Sequence, residues 1–227
     1  MGNVITIDGP SGAGKSTVSR IFAEKIGYFC LDTGAMYRAV ALAAKRQDVA
    51  FDDGRGLEEI CRSLQLRFEA EEGTTKLFLC EEDISALIRD REFDMLSSKV
   101  SSAREVRDAM KSLQRKISRN EDLVAEGRDM GTVVFPFAKT KFFLTASLDA
   151  RALRRYEERI GKGEQVDMDN VREELEKRDH QDETRSLAPL KPADDAFIID
   201  SSGLNIQQVV KRMMEYSGLR NQGGSLG

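Results

Sequence analysis

Short apolar runs alternate with amphipathic stretches along most of the chain. The run Val4–Asp8 is rich in β-branched residues and predicts a buried strand, and residues 17–26 carry apolar side chains at helical spacing. Further strands are predicted at 28–32, 123–126, 141–145 and 196–200, and further helices after residue 33, over 104–118 and over 206–216. Strands separated by helices predict an α/β fold with a five-stranded parallel sheet covered on both faces. A ligand is expected beyond the carboxyl ends of the strands.

Two stretches depart from this alternation. Residues 60–90 contain short extended pieces, with a turn predicted at 71–74, and indicate a small antiparallel insertion. Residues 156–188 are highly charged and have Gly161 and Gly163 in their middle, which predicts two helices joined by a glycine hinge, typical of a moving lid. Residues 221–227 are expected to be a disordered tail.

Composition narrows the class of protein. The 227 residues are 40% hydrophobic and 33% charged, which indicates one soluble globular domain with a charged surface. No apolar run approaches the roughly 20 residues of a membrane span, and no signal peptide is visible. The three scattered cysteines show no metal-ligand spacing and favour a reduced, cytoplasmic setting. The net charge of −4 argues against a surface for nucleic acid.

The first strand and helix enclose the sequence GPSGAGKST at residues 9–17, which fits the phosphate-loop pattern G-x-x-x-x-G-K-[ST]. Glycines let backbone N–H groups turn towards phosphate oxygens, and the helix N-terminus adds further donors. Lys15 can bridge the β- and γ-phosphates, and the Ser16 hydroxyl can ligate Mg²⁺. The predicted ATP-binding residues are Gly9, Pro10, Ser11, Gly12, Ala13, Gly14, Lys15, Ser16 and Thr17.

Polar residues follow the second predicted strand. Asp32 ends that strand, Thr33 can cap the next helix, and Arg38 lies about one turn into the helix. Arg38 can therefore point towards an anion near the helix N-terminus. An ordinary N-cap followed by a solvated arginine is the alternative interpretation.

The third predicted strand ends in the sequence EGRDMGT at residues 126–132. Arg128 suits a bidentate contact with phosphate, and Asp129 could accept a hydrogen bond from an amine donor. Glu126 could hold Mg²⁺ through water. A plain polar loop is the alternative.

The segment 178–185 carries charged residues at helical spacing. Arg178, Asp182 and Arg185 are four and three residues apart, so a helix places them on one face. A ladder of solvent-exposed ion pairs is the alternative. The same ambiguity applies to the arginines at positions 104, 107, 151, 154 and 155.

A triphosphate loop, a lid and many arginines together favour phosphoryl transfer, in which catalysis is mostly positioning and charge neutralisation. A phosphate acceptor would need no general base, since its second pKa is near 6 and its attacking oxygen is already largely ionised at neutral pH. Arginines would offset the repulsion between two polyanions, and a closed lid would exclude water.

Four motifs resemble those of the bacterial cytidylate kinases. They are GPSGAGKST at 9–17, DTGAMYR at 32–38, GRDMGT at 127–132, and RDxxDxxR at 178–185 with Pro189 and Leu190. The resemblance extends over residues 3 to about 217. It implies a P-loop three-layer fold in the nucleoside monophosphate kinase group, within one domain at 1–220. Its parts would be a core at about 1–58, 100–155 and 189–220, a monophosphate-binding insertion at 59–99 and a helical lid at 156–188.

The resemblance also implies the reaction ATP + CMP ⇌ ADP + CDP, in which dCMP is accepted and UMP is used poorly. Mg²⁺ would bind together with ATP, held by Ser16 and, through water, by Glu126. It assigns catalytic roles to Lys15, Arg128, Arg154 and Arg185. The residues it implies for CMP are Thr33, Tyr37, Arg38, Ser98, Arg107, Arg128, Asp129, Arg178, Asp182 and Arg185. Asp129 suits the exocyclic amine of cytosine, whereas uracil presents an acceptor there.

Two other functions stay open from the sequence. One is another P-loop small-molecule kinase, with UMP, shikimate or dephospho-coenzyme A as acceptor. The other is a non-catalytic NTP-binding switch that acts through partners. We expect a monomer that binds small molecules and acts in the cytoplasm, away from nucleic acid and membranes.

Overall fold

The computed structural model describes residues 2–71 and 74–219. The strands are β1 Val4–Asp8, β2 Phe29–Asp32, β3 Leu66–Glu71, β4 Thr74–Leu79, β5 Glu82–Asp83, β6 Leu123–Gly127, β7 Thr140–Thr145 and β8 Phe197–Asp200. The helices are α1 Lys15–Ile26, α2 Thr33–Arg46, α3 Gly54–Ser63, α4 Arg91–Val100, α5 Arg104–Ile117, α6 Leu148–Gly161, α7 Met168–Thr184 and α8 Ile206–Ser217. The described residues also form a 3₁₀ turn at Leu87–Arg89 and a π-helical turn at Met130–Val134.

The main sheet confirms the predicted five parallel strands, in the order β2-β6-β1-β7-β8. Asp8 pairs in register with Gly127, and Asp32 pairs with Glu126. The carboxyl ends of β1, β2 and β6 therefore lie side by side. This edge is where a ligand of an open α/β sheet binds.

Helices cover the sheet on both faces and form the three predicted layers. On one face α1 and α8 bury Phe22, Val210 and Met213 against the strands, and the Phe22 ring meets Phe142 edge-on at 5.9 Å between centroids. On the other face α2, α3 and α5 share a core with residues of the insertion, including Leu77 and Phe93. The insertion thus packs on the same core as α2.

The insertion confirms the predicted antiparallel strands, in the order β3-β4-β5. Residues 72 and 73 of the predicted turn lie outside the described residues, as does the predicted tail at 221–227. The boundaries expected for core, insertion and lid stay a prediction.

Several element boundaries differ from the sequence prediction by one or two residues, and two of these differences have a clear physical reason. Helix α1 begins at Lys15 rather than residue 17, because Gly14 takes the left-handed conformation (φ 93°) and serves as its N-cap. Strand β2 begins at Phe29 rather than Tyr28, because the Tyr28 N–H donates to the Ala23 carbonyl at the end of α1. Lys15 is therefore fixed by the first turn of the helix.

Helices α6 and α7 are the two helices predicted around Gly161 and Gly163, joined by residues 162–167, although α6 begins earlier, at Leu148. Their role as a moving lid stays a prediction. Their shared apolar cluster has only three buried members among the described residues, Ala152, Val171 and Leu175. Most of the other side chains of α7 are charged, so this pair depends on polar contacts with its surroundings. No helix among the described residues is both long and apolar enough to cross a membrane.

We expect Gly9→Ala to destabilise the fold by about 2–3 kcal/mol. A Cβ at Gly9 would lie 1.9 Å from the Leu144 carbonyl oxygen of β7, and φ at this residue is 151°. Chemical denaturation measures the change in the free energy of unfolding. Gly203→Ala is the matched control, since a Cβ there meets nothing within 4 Å, and a loss of similar size in both variants would contradict the explanation.

Candidate active site

The loop of residues 9–14 connects β1 to α1 at the carboxyl edge of the sheet. Gly12 and Gly14 have positive φ angles of 77° and 93°, which bring successive backbone N–H groups to one side of the loop. Because the cap residue Gly14 has no side chain, the first N–H groups of α1 are available to an anion. The loop geometry therefore suits phosphate groups.

Lys15, the first residue of α1, is buried beside this loop, and its Nζ donates a 2.7 Å hydrogen bond to the Pro10 carbonyl. Burial lowers the pKa of Lys15, and repulsion from Arg128 lowers it further, whereas Glu126 acts in the opposite direction. A bound polyphosphate would favour the charged ammonium form.

Glu126, in β6, is buried next to Ser16. Burial, and then repulsion from Asp32, raises the pKa of Glu126, whereas a hydrogen bond with Ser16 lowers it. Its Oε1 has no hydrogen-bond partner among the described residues. No cluster of three or more His, Cys, Asp or Glu side chains in the described chain could hold a metal. Mg²⁺ often binds one or two protein oxygens together with phosphate and water, so Ser16 and Glu126 fit this ion.

Four of the predicted arginines gather opposite the loop, brought together by α2, β6 and α7. They are Arg38, Arg128, Arg178 and Arg185. Arg38 donates to Asp32 over 3.2 Å, and the Nε of Arg128 donates to Asp182 Oδ2 over 2.8 Å. The strand ends and α7 thus supply carboxylates that orient the guanidinium groups.

Several guanidinium donors in this cluster are buried and unsatisfied. The Nε atoms of Arg38 and Arg178 and the Nη2 of Arg185 have no hydrogen-bond partner within the described chain. Burial lowers the pKa of Arg178 and of Arg185, and a neighbouring arginine lowers each further. Buried cationic donors without partners are costly, so the cluster points to an anionic ligand.

A second group of side chains surrounds Asp129, which is 2% exposed. Arg107 Nη2 donates to Asp129 Oδ2 over 2.5 Å, and Arg107 Nη1 donates to the Ser101 carbonyl over 3.1 Å. The Arg107 guanidinium lies 5.9 Å from the ring centroid of Tyr37, and burial raises the pKa of Tyr37 to about 12. Asp129 Oδ1 has a loose ion pair, 4.0 Å from Arg185 Nη2, in the part of the chain that the structure describes. That oxygen can accept a hydrogen bond from a ligand.

Three further predicted residues have polar contacts in the walls of the cleft. The Thr33 hydroxyl donates to the Glu126 carbonyl over 2.6 Å, and the Ser98 hydroxyl donates to the Gln181 side chain over 3.2 Å. Arg154 Nη2 donates to the Ser201 carbonyl over 2.5 Å. Because the Ser201 hydroxyl also contacts the Ala13 carbonyl, Arg154 lies on the same side as the phosphate loop.

One cleft of about 1920 Å³ contains these groups. Pockets for one small ligand are typically about 300–1000 Å³, so this cleft has room for two. The predicted residues that line it are Ser11, Gly12, Ala13, Gly14, Lys15, Ser16, Thr17, Thr33, Tyr37, Arg38, Ser98, Arg107, Glu126, Arg128, Asp129, Arg154, Arg178, Asp182 and Arg185. Gly9 and Pro10 do not line it.

The sequence analysis did not single out two carboxylates in this region. Asp8 accepts hydrogen bonds from the backbone N–H groups of Met130 and Gly131, over 2.8 and 2.7 Å, and burial raises its pKa to about 7. It joins the strand before the phosphate loop to the segment after Asp129. Asp94, in α4, contacts Arg155 of α6 and Arg178 of α7. The position of Asp8 at a strand end was a usable signal, whereas Asp94 lies in an ordinary amphipathic helix.

The chain is similar to known proteins in sequence and in fold. A family model described as cytidylate kinase matches residues 5–218. The cytidylate kinase of Syntrophotalea carbinolica is 48% identical over 96% of this chain and 93% of that protein, and the cytidylate kinase of Carboxydothermus hydrogenoformans is 43% identical over 96% and 98%. The solved shikimate kinase from Bacteroides thetaiotaomicron is 14% identical, with a TM-score of 0.50 over 96% of this chain and 99% of its own, which supports the fold alone.

We expect the affinity for inorganic tripolyphosphate, measured with a metal chelator present, to fall as the pH rises from 6 to 9. The pKa of Lys15 is lowered in the free protein, so above that pKa binding of the anion must also take up a proton. This uptake reduces affinity by at most about tenfold per pH unit. Calorimetric titrations in two buffers of different ionisation heat measure both affinity and proton uptake.

Lys15→Arg is the control for this pH dependence, because arginine stays charged throughout the range. The protonation of tripolyphosphate itself is common to both proteins. We expect less proton uptake and a flatter pH profile in the variant, and identical profiles would contradict the role of Lys15.

Proposed function

The chain belongs to the cytidylate kinase family and phosphorylates CMP with ATP, and we propose that its cleft divides into a donor side at the loop 9–17 and an acceptor side at the arginines. The main support for this division is that a single cleft contains both the phosphate loop and buried arginine donors that have no partner among the described residues. CMP and dCMP are the acceptors in this proposal.

On the donor side, the N–H groups of the loop and the Lys15 ammonium group bind the β- and γ-phosphates of ATP. Arg154 contributes a further positive charge from the lid. The Ser16 hydroxyl and, through water, Glu126 hold Mg²⁺, which would neutralise charge on the phosphates when bound. The unpaired Oε1 of Glu126 supports this assignment.

On the acceptor side, Arg38 and Arg128 bind the phosphate of CMP, with Thr33 beside them. Asp129 Oδ1 accepts from the exocyclic amine of cytosine, while Arg107 fixes the Asp129 carboxylate by the hydrogen bond at Oδ2. Five further residues complete the nucleoside side of the site and the lid contact: Tyr37, Ser98, Arg178, Asp182 and Arg185. Uracil would present a carbonyl oxygen to the Asp129 carboxylate, and the two acceptors repel each other.

The transfer is a direct in-line displacement. An ionised oxygen of the CMP phosphate forms a bond to the γ-phosphorus as the bond from that phosphorus to the bridging oxygen of ATP breaks, which leaves ADP and CDP. No side chain has to remove a proton, since a phosphate monoester is largely dianionic at neutral pH. Lys15, Arg128 and Arg185 offset the repulsion between the two nucleotides. The α6–α7 pair excludes water from the γ-phosphoryl group.

A monomer in the cytoplasm suffices for this reaction. One chain supplies both the donor side and the acceptor side of the cleft, so no partner subunit is needed for a complete site. Cys30, Cys61 and Cys80 are free, which is typical of a reducing compartment. Both substrates are small molecules, and the reaction requires neither nucleic acid nor a membrane.

An acceptor panel tests the proposal directly. ADP release from ATP is measured with CMP, dCMP, UMP, AMP, shikimate and dephospho-coenzyme A. We expect CMP and dCMP to be the preferred acceptors. Preference for another acceptor would favour a different P-loop kinase, and slow ATP hydrolysis without stimulation by any acceptor would favour a switch.

We expect Asp129→Asn to reduce the preference for CMP over UMP, measured as the ratio of their kcat/KM values, by about 10- to 100-fold. The variant loses a charge-assisted hydrogen bond to the cytosine amine, and its amide can donate to uracil. The KM for ATP should change less than about twofold, since Asp129 lies on the acceptor side. Steady-state kinetics with both acceptors measures this. Asp108→Asn in α5 is the control, because the Asp108 carboxylate binds Lys111 on the surface. An unchanged CMP preference would assign base recognition to another residue.

We expect Glu126→Gln to raise the Mg²⁺ concentration for half-maximal activity by about tenfold or more, since the amide keeps the shape of the side chain but removes the charge. The measurement is a Mg²⁺ titration of the initial rate at fixed ATP and CMP. Glu121→Gln changes an exposed glutamate that lies shortly before Glu126 in the chain, and it should leave the Mg²⁺ titration unchanged. Equal titrations for all three proteins would exclude Glu126 from the metal site.

A further inference from the structure

Asp94 lies on α4 where the insertion faces the lid, and its side chain is 21% exposed. Three guanidinium groups from three different helices surround its carboxylate. Arg155 of α6 donates a hydrogen bond to Oδ2, and the Nη1 atoms of Arg178 in α7 and Arg38 in α2 lie 3.5 and 3.7 Å from Oδ1. One carboxylate thus joins the acceptor side of the cleft to both lid helices.

The hydrogen bond from Arg155 and the ion pairs with Arg38 and Arg178 have different effects on the structure. The contact with Arg155 is a direct hydrogen bond, which fixes the position of α6 relative to α4. The contacts with Arg38 and Arg178 are ion pairs beyond hydrogen-bond range, and the Nε atoms of both arginines have no hydrogen-bond partner in the described chain. Asp94 therefore compensates the charge of these two arginines without occupying their Nε donors.

Other polar pairs join α4 to the lid near Asp94. Arg91 donates to Glu174, and the Ser98 hydroxyl donates to the Gln181 side chain. These pairs join α7 to α4 at residues that flank Asp94 in the helix. Asp94 offsets part of the repulsion among the cleft arginines at this position, and Asp32 and Asp182 offset another part.

We propose that Asp94 is a positioning residue that acts as a counter-charge: it holds the lid on α4 in the nucleotide-free enzyme, and the acceptor phosphate displaces it from Arg38 and Arg178. This inference rests on the proposed role of Arg38 and Arg178 in CMP binding. The carboxylate competes with the acceptor phosphate for the same positive charge. The enzyme consequently binds CMP less tightly than its arginines alone would allow.

Asp94→Asn tests the proposal, because the amide keeps the size of the side chain and removes its charge. We expect the Kd for CMP to fall about three- to fivefold at low ionic strength, in proportion to the loss of a partly exposed ion pair. The difference should shrink at about 0.5 M salt, where charges are screened. Calorimetric titration of the full chain with CMP measures both values.

Limited trypsin digestion gives a second readout that reports on the lid. Lys162 lies in the exposed linker between α6 and α7. Without nucleotide, we expect cleavage after Lys162 to be faster in Asp94→Asn than in the wild type, because the hydrogen bond from Arg155 to a carboxylate is lost. Mass spectrometry of the fragments identifies this cut, and saturating ATP and CMP should slow it in both proteins.

Glu92→Gln is the matched control on the same helix, since Glu92 binds Lys45 outside the cleft. It should change neither the Kd for CMP nor the cleavage rate. A Kd that is unchanged or higher in Asp94→Asn, or a cleavage rate equal to that of Glu92→Gln, would overturn the counter-charge role. Absence of CMP phosphorylation by the wild-type protein would instead contradict the proposed function, and the digestion result would still report on the lid.

Discussion

Repulsion between buried arginines is the constraint on which the active site depends. Guanidinium groups brought together away from water are stable only when carboxylates lie among them. The fold supplies these carboxylates from different directions: Asp32 from the end of β2, Asp129 from the segment after β6 and Asp182 from α7. Strand register and helix packing thus set the electrostatic balance of the cleft before any substrate enters. In the proposed function, the phosphates of the substrates replace part of this compensating negative charge.

The sheet and the strand–loop–helix unit beside the cleft could be predicted because their signals are local. The strand, loop and helix of residues 4–26 follow one another without a gap, and the sequence of the loop defines its own chemistry. What the sequence could not fix was the first turn of the helix, where the backbone conformation of Gly14 decides that Lys15 is already helical. Hydrophobic spacing alone carries no information on such a cap.

The acceptor side depends on pairings between residues far apart in the chain. Arg128 and Asp182 are separated by 54 positions, and Arg155 and Asp94 by 61. The motifs placed Arg128 and Asp182 in the site, but only the packed helices show that one orients the other. Asp94 could not be found in this way, because α4 reads as an amphipathic helix whose polar face could equally be solvated. Its significance arises only from the approach of α6 and α7.

The polar character of the contacts that join α4 to α6 and α7 has a thermodynamic consequence. The heat capacity of a conformational change follows mainly the apolar surface that becomes exposed to water. The contacts that join α4 to the lid are made by charged and polar side chains, including Arg91, Ser98 and Arg155. Separation of the lid from α4 therefore exposes little apolar surface and carries only a small heat capacity change. The free energy of that separation should therefore vary almost linearly with temperature, whereas the stability of the apolar core on either side of the sheet is strongly curved.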